Sequence, residues 1–247
     1  MLSPLASAQD YPTRTIKIIV PAPPGGAIDL IARVVGEKLA TSLGQPVIVD
    51  NKPGASNNLG TDALAHSTPD GYTIGIVGGS HNTNKFLFKN LRWDPEKSFE
   101  PIVYTHEVPL VFAIYPQIPA KTLPEFIAWM KANPEQAKAG NARAVAVSTK
   151  KRTASLPDVP TADAQGLKGY NANANGGFLA PAGTPKAIIA KRNGAINAAL
   201  KLPDVRSKLE AVGIEVQGGT PQDYAALIHA DLAKWGKVVK DAGIPAE

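Results

Sequence analysis

Two short stretches gather the groups that could hold a small anion. The first, Pro-Ala-Pro-Pro-Gly-Gly at residues 21–26, separates the apolar run Ile16–Val20 from a helical pattern that begins near Ile28. A helix starts with backbone N–H groups that have no partner inside it, at the positive end of its dipole. Gly25 and Gly26 would leave those groups open to a ligand, and Pro23 and Pro24 would stiffen the approach. Asp29 falls in the first turn, where its carboxylate can accept free loop N–H groups. The same residues also make an ordinary strand-to-helix turn, with Asp29 as a plain helix-start aspartate. The spacing leaves both readings open.

The second stretch is Gly78-Gly79-Ser80-His81-Asn82-Thr83, after the apolar run Tyr72–Val77. Ser80, His81, Asn82 and Thr83 follow two glycines and can offer hydroxyl, amide and backbone donors to one ligand, which suits a binding loop and equally suits a helix cap. Ser80 is also the best nucleophile, yet the elbow pattern Gly-x-Ser-x-Gly fails at Asn82. Of the histidines that follow Ser80, His229 lies in mid-helix, a poor place for a triad base. An α/β hydrolase using Ser80 is therefore a remote alternative. Four histidines without HExxH spacing and no cysteine argue against zinc, and no nucleotide-binding glycine motif is present. No catalytic residue, metal or cofactor is expected.

Elements must position these loops. Strands are expected at Ile16–Val20, Val47–Asp50, Tyr72–Val77, Leu110–Tyr115, Arg143–Ser148 and Phe178–Ala180. Between the first two, Ile28, Ile31, Val35, Leu39 and Leu43 recur at helical spacing, and Gly44 and Pro46 end the helix. Thr184-Pro185 and Thr220-Pro221 each place a capping hydroxyl before a proline. The last helix carries Tyr224, Leu227, Ile228, Leu232, Trp235 and Val239 on one face, with Trp235 expected in the core. Alternating strands and helices imply an α/β fold with a largely parallel sheet, whose ligands sit beyond the carboxyl ends of the strands.

The composition agrees with a globular chain: 247 residues, 44% hydrophobic and 19% charged, with a formal charge of +5. The basic residues are scattered, with one short run at Lys150–Arg152, and no basic stripe alternates with aromatics. Nucleic acid is not an expected partner. Ala6-Ser7-Ala8 has the small-x-small form of a leader cleavage site, without a charged or apolar segment before it. Residues 1–8 are taken as a leader remnant.

In chain order, "YPTRTIKIIVPAPPGGAIDLIAR", "GQPVIVDNKPGASNNLGTDALA", "PDGYTIGI", "LPDVPT", "LAPAGTPK" and "AKWGKVVKDAGI" resemble the Bug/TctC proteins, the periplasmic receptors of tripartite tricarboxylate transporters. The resemblance implies a two-lobed α/β Venus flytrap whose cleft binds carboxylates through one loop of each lobe. It implies a periplasmic, monomeric, non-enzymatic protein that hands a small carboxylate to membrane permease subunits. Pro23, Pro24, Gly25, Gly26 and Ala27 match the first half of the carboxylate pincer, braced by Asp29. Ser80, His81, Asn82 and Thr83 match the loop beside it, and Asn51–Asn58 matches a further loop of turn and cap residues. Two departures stand out. Several tens of residues are missing after Gln136, and Asn175 stands where the family usually carries tryptophan. The first lobe is expected over residues 9–107 and 177–247, and a truncated second lobe over 108–176. A degenerate lobe serving as a sensor or interaction module, or without ligand binding, is the alternative function.

Overall fold

A computed structural model describes residues 11–115, 117–133, 143–153 and 156–247 of the chain; the leader-like segment lies outside the described residues. In chain order the elements are β1 (Ile16–Val20), α1 (Ala27–Leu43), β2 (Val47–Asn51), α2 (Asn58–Ala65), β3 (Thr73–Val77), α3 (Ser80–Leu87), β4 (Phe99–Val108) and β5 (Val111–Ile114). These are followed by α4 (Leu123–Ala132), β6 (Arg143–Val147), β7 (Ala174–Pro181), α5 (Lys186–Leu200), α6 (Pro203–Glu210), β8 (Glu215–Val216) and α7 (Pro221–Asp241). They divide into two compact units. One takes in the described residues up to His106 together with Asn175–Glu247, the other Glu107–Ala174.

The first unit is built on a six-stranded sheet in the order β2-β1-β3-β7-β4-β8. Strand β1 is nearly continuous in Ile and Val, as a strand covered on both faces must be, and Ile16, Ile18, Ile19 and Val20 are all buried. It runs parallel to β2 on one side and to β3 on the other, pairing Ile18 with Val49 and with Ile74. Strand β7 is antiparallel to β3. The sheet is therefore mixed where a largely parallel one was expected. Helix α1 buries Ile31, Ala32, Val35 and Leu39, the face that the spacing predicts.

Strand β7 brings the backbones of its neighbours unusually close. A Cβ on Gly176 would stand 1.9 Å from the Val77 carbonyl oxygen, and one on Gly177 would stand 2.1 Å from that of Val103. The Gly-Gly pair thus lets β7 enter between β3 and β4. Helix α7 covers this region, with Tyr224, Ile228 and Leu232 in one core with Trp93, Phe99 and Leu179. Its start carries the capping hydroxyl read from Thr220-Pro221, and Asp223 completes it as a capping box: the Asp223 N–H donates to Thr220 Oγ1 at 3.1 Å, and the Thr220 N–H to Asp223 Oδ2 at 2.9 Å. Thr184 behaves otherwise. Its hydroxyl donates to the Pro181 carbonyl at 2.7 Å, and α5 begins after Pro185 without a side-chain cap. Trp235 is only half-buried, with the Lys234 ammonium 4.8 Å from its ring centre.

Strand β4, absent from the expected set, carries Glu100, Pro101, Thr105 and His106 among its apolar residues. Thr105 and His106 are buried, and the Thr105 hydroxyl lies 2.9 Å from His106 Nδ1. His81 is buried as well. Its Nε2–H donates to the Pro95 carbonyl at 3.0 Å, and its ring stacks on Trp93 with centres 5.2 Å apart.

The second unit is small. Strands β5 and β6 pair antiparallel, and α4 begins at Thr122, whose hydroxyl accepts the Glu125 N–H. Among its described residues, one apolar cluster gathers around Ile114, Ile118 and Val145 and another around Leu123, Ala146 and Ala162. Gln165 links the parts, since its Oε1 accepts the Leu123 N–H at 2.8 Å and its amide nitrogen donates to the Val145 carbonyl.

Two expectations follow for stability. Gly177→Ala should destabilise the chain by about 2 kcal/mol or more, because backbone on either side of β7 must move to admit a methyl group. A chemical denaturation midpoint equal to that of the unchanged protein would contradict the close approach. Burial lowers both His81 and His106 from the ordinary value of 6.5 to about 4; for His81 it outweighs the opposing pull of the Pro95 carbonyl and Asp94. Because the folded values lie below the unfolded ones, the stabilisation is complete above pH 6.5 and is lost as pH falls towards 4, on the order of 3 kcal/mol per histidine. Unfolding free energy measured from pH 7 to pH 4.5 should fall, and His81→Gln with His106→Gln should flatten the curve. A flat curve in the unchanged protein would refute this.

Candidate functional site

Because β1 lies between two parallel neighbours, the chain leaves β1, β2 and β3 at the same edge of the sheet. Three loops therefore gather there, each leading into a helix. The first is the turn after β1. Pro23, Pro24, Gly25, Gly26 and Ala27 are all exposed, and Gly26 is the N-cap of α1 with no side-chain cap. The first intrahelical bond runs from the Leu30 N–H to the Gly26 carbonyl at 3.0 Å, so the N–H groups of Ala27, Ile28 and Asp29 precede it.

The loop's shape depends on a buried carboxylate. Asp29 Oδ2 accepts the Gly25 N–H at 2.9 Å and Arg33 Nε at 3.0 Å; Oδ1 accepts Arg33 Nη2 at 3.0 Å and Asn51 Nδ2 at 2.9 Å. Asn51 Nδ2 also donates to the Ala22 carbonyl at 3.0 Å, and Asn51 Oδ1 accepts Arg33 Nη2 at the same distance. Burial alone would raise the Asp29 pKa, but the bonds from Arg33, Gly25 and Asn51 outweigh it and hold the value at about 2. Asp29 is thus a brace and is turned away from solvent. Gly25, at φ 92°, occupies the left-handed region, whereas Gly26 at φ −81° is in ordinary extended backbone.

The second loop, after β2, contains an uncommon turn. Ala55, Ser56 and Asn57 have φ of 47°, 53° and 74°, three successive non-glycine residues in the left-handed region. Each such residue costs roughly 1–2 kcal/mol, so the turn needs support. Helix α3 supplies it: Asn84 Nδ2 donates to the Ser56 carbonyl at 2.8 Å and to Asn58 Oδ1 at 2.7 Å. From the far side of β1, Asn57 Nδ2 reaches Ser80 Oγ at 2.9 Å.

The third loop opens α3. Ser80 and Thr83 are partly exposed there, and the Thr83 hydroxyl donates back to the Gly79 carbonyl at 3.4 Å. The His81 ring points into the core, held by Pro95 and Trp93 as described, which leaves its side chain no ligand-facing edge. Asn82 is buried too, its Nδ2 3.5 Å from Asp231 Oδ2. Asp231 also takes Asn175 Nδ2 at 3.0 Å and pairs with the Lys234 ammonium at 2.9 Å. Of the ten expected site residues, the structure brings the exposed loop Pro23–Ala27 with its brace Asp29, and Ser80 and Thr83, to one edge of the sheet. Arg33, Asn84 and Asp231 were not singled out, and Asn51 and Asn57 were expected only as turn or cap residues, which Asn57 is, as the N-cap of α2. Of the first three, only Arg33 had a sequence signal, its i+4 spacing from Asp29.

The Ser80 hydroxyl has an amide as its partner where a hydrolase would need an imidazole. Elsewhere a groove of about 480 Å³ is lined by Glu100, Lys186, Asn193 and Gln222 among others, none of them in these loops.

Comparison with known proteins agrees with this fold. The sequence model described as "Tripartite tricarboxylate transporter family receptor" matches residues 31–138 and 135–244. The chain is 29% identical to protein BugT of Bordetella pertussis, over 96% of this chain and 92% of the relative. That alignment spans 299 positions, more than the 247 residues of this chain, so it includes several tens of positions that only the relative fills. Among solved structures, the periplasmic binding protein BugD superposes with a TM-score of 0.83 at 27% identity, over 96% of this chain and 100% of its own. The R. palustris protein Rpa4515, solved with adipate, gives 0.85 at 26% identity with the same coverage. These neighbours are periplasmic solute-binding proteins and not enzymes, with the same α/β fold in a longer chain. The protein belongs to the tripartite tricarboxylate transporter receptor family, TctC.

Proposed function

We propose that this protein captures a small carboxylate in the periplasm and delivers it to the membrane permease subunits of a tripartite transporter. The observation that carries the reading is the exposed Pro23–Ala27 turn at the uncapped start of α1, held in shape by the buried Asp29. Backbone N–H groups at a helix start suit a carboxylate oxygen, and a loop held rigid before binding loses little entropy when it binds. Ser80 and Thr83 add hydroxyls from α3. Adipate bound to the related Rpa4515 supports a carboxylate as the ligand class. The formal charge of +5 adds a diffuse, salt-screened attraction for anions.

The shortened chain bears on affinity. Relatives fill several tens of positions that this chain lacks, and fewer residues are left to enclose a ligand. Hydrogen bonds that stay open to water contribute modestly, about 0.5–1.5 kcal/mol each. Several of them, less the cost of immobilising the ligand, give dissociation constants of roughly 0.1–10 mM. The shortening also favours a second reading, in which the chain is a sensor or interaction module that binds no carboxylate.

Isothermal titration with acetate, adipate, malate and citrate decides between them. Heat and a raised melting temperature with at least one acid are expected, weakening as salt is added. Silence with all four, by both methods, would sink the transport reading in favour of the second. Gly26→Val should weaken that binding at least about tenfold without altering the melting temperature. A Cβ at Gly26 meets nothing within 4 Å, so a valine fits the fold but stands in the open space over the helix start. Unchanged affinity in this variant would reduce the loop to a turn.

A further inference from the structure

The left-handed turn at Ala55–Asn57 is maintained by Asn84 and by Thr61, whose hydroxyl donates to the Asn57 carbonyl at 2.9 Å. From this turn a side-chain hydrogen bond runs towards the proposed binding edge, from Asn57 Nδ2 to Ser80 Oγ at 2.9 Å. The direction of that bond matters. A serine hydroxyl has one proton to give and two lone pairs to receive with. In this pairing Ser80 receives, so its own proton is not used by Asn57. Among the described residues no carbonyl or carboxylate takes it. Ser80 is partly exposed and is the first residue of α3, where the helix dipole favours an anion.

We propose that Asn57 is a positioning residue that fixes the Ser80 hydroxyl as a hydrogen-bond donor to the ligand's carboxylate. This inference rests on the reading of the site as a carboxylate receptor and gives Ser80 a defined polarity within it. Asn57 does not touch the ligand. Its amide proton engages one lone pair of Ser80, so the hydroxyl proton is turned away from Asn57. An asparagine suits both demands at position 57, since it tolerates φ 74° and carries an N–H donor. The strained turn follows from this role, because it carries the asparagine across the end of β1 to α3.

The test is a double-mutant cycle read by titration with adipate, malate and citrate, using the full chain. Asn57→Gly keeps the left-handed backbone and removes the donor; Asn57→Asp keeps shape and backbone but accepts the Ser80 proton instead. Ser80→Ala removes the hydroxyl. Expected are losses in affinity of roughly tenfold for Ser80→Ala and Asn57→Asp and a smaller loss for Asn57→Gly. The combined Asn57→Gly, Ser80→Ala variant should bind no more weakly than Ser80→Ala alone. A turn that merely supports the fold would lower the melting temperature without this coupling. Unchanged affinity in Asn57→Asp, or losses that multiply in the combined variant, would overturn the inference and leave the receptor reading intact. No binding of any of the three acids by the unchanged protein would overturn both.

Discussion

A carboxylate buried in a protein stays ionised only if its lone pairs are satisfied, and Asp29 meets that condition with groups from three parts of the chain. Gly25 comes from the loop, Arg33 from the helix that follows, and Asn51 from the end of the next strand. The carboxylate therefore ties β1, α1 and β2 together at the point where the exposed turn lies. Removing any one donor would leave charge or polarity buried without a partner, which is far more costly than the modest gain of each bond. The open start of α1 depends on this arrangement. So does the register that sets Val20 beside Asn51, because it brings the Asn51 amide to the carboxylate.

The same edge shows two ways of making a polar surface rigid. At α1 the brace is a charge network under a turn whose glycine takes the left-handed conformation. At α3 it is a set of amides: Asn84 under the Ala55–Asn57 turn, Asn82 and Asn175 on Asp231. Amides and a shielded carboxylate hold position without adding an exposed negative charge, which would repel a carboxylate ligand. Histidine takes no part in it, since His81 and His106 are buried and neutral near pH 7.

How much of this could be read from the sequence depends on the distance between partners. Helix α1, its Gly44 stop and the Thr220 capping hydroxyl are local patterns, and they formed where the residues indicated. Strand β4 was hidden because Glu100, Pro101, Thr105 and His106 interrupt its apolar alternation, while Thr105 and His106 satisfy each other inside. Thr184 had the right neighbour for a cap, but its hydroxyl found the Pro181 carbonyl first. The turn at Pro23–Ala27 was legible as a helix start. Asn51 and Asn57 were not, because their partners Asp29 and Ser80 lie 22 and 23 residues away in sequence and meet them only once the sheet has formed. The burial of the His81 side chain escaped the sequence for a related reason: nothing in the residues around it announces the Trp93 and Pro95 that enclose it.

The adjacency of β4 and β7 has a consequence for how the chain tolerates change. The second unit leaves the first at the end of β4 and returns at the start of β7, and these strands are neighbours in the sheet. Its two ends are thus pinned by hydrogen bonds that belong to the first unit. An excursion with pinned ends can lengthen or shorten at small entropic cost, since closing a loop depends only logarithmically on its length and each halving changes that cost by about 0.6 kcal/mol. A shorter excursion need not disturb the strand pairing of the main sheet, because β4 and β7 stay neighbours in it. The fold can therefore outlast large edits to one part while the loops at the ends of β1, β2 and β3 keep their geometry.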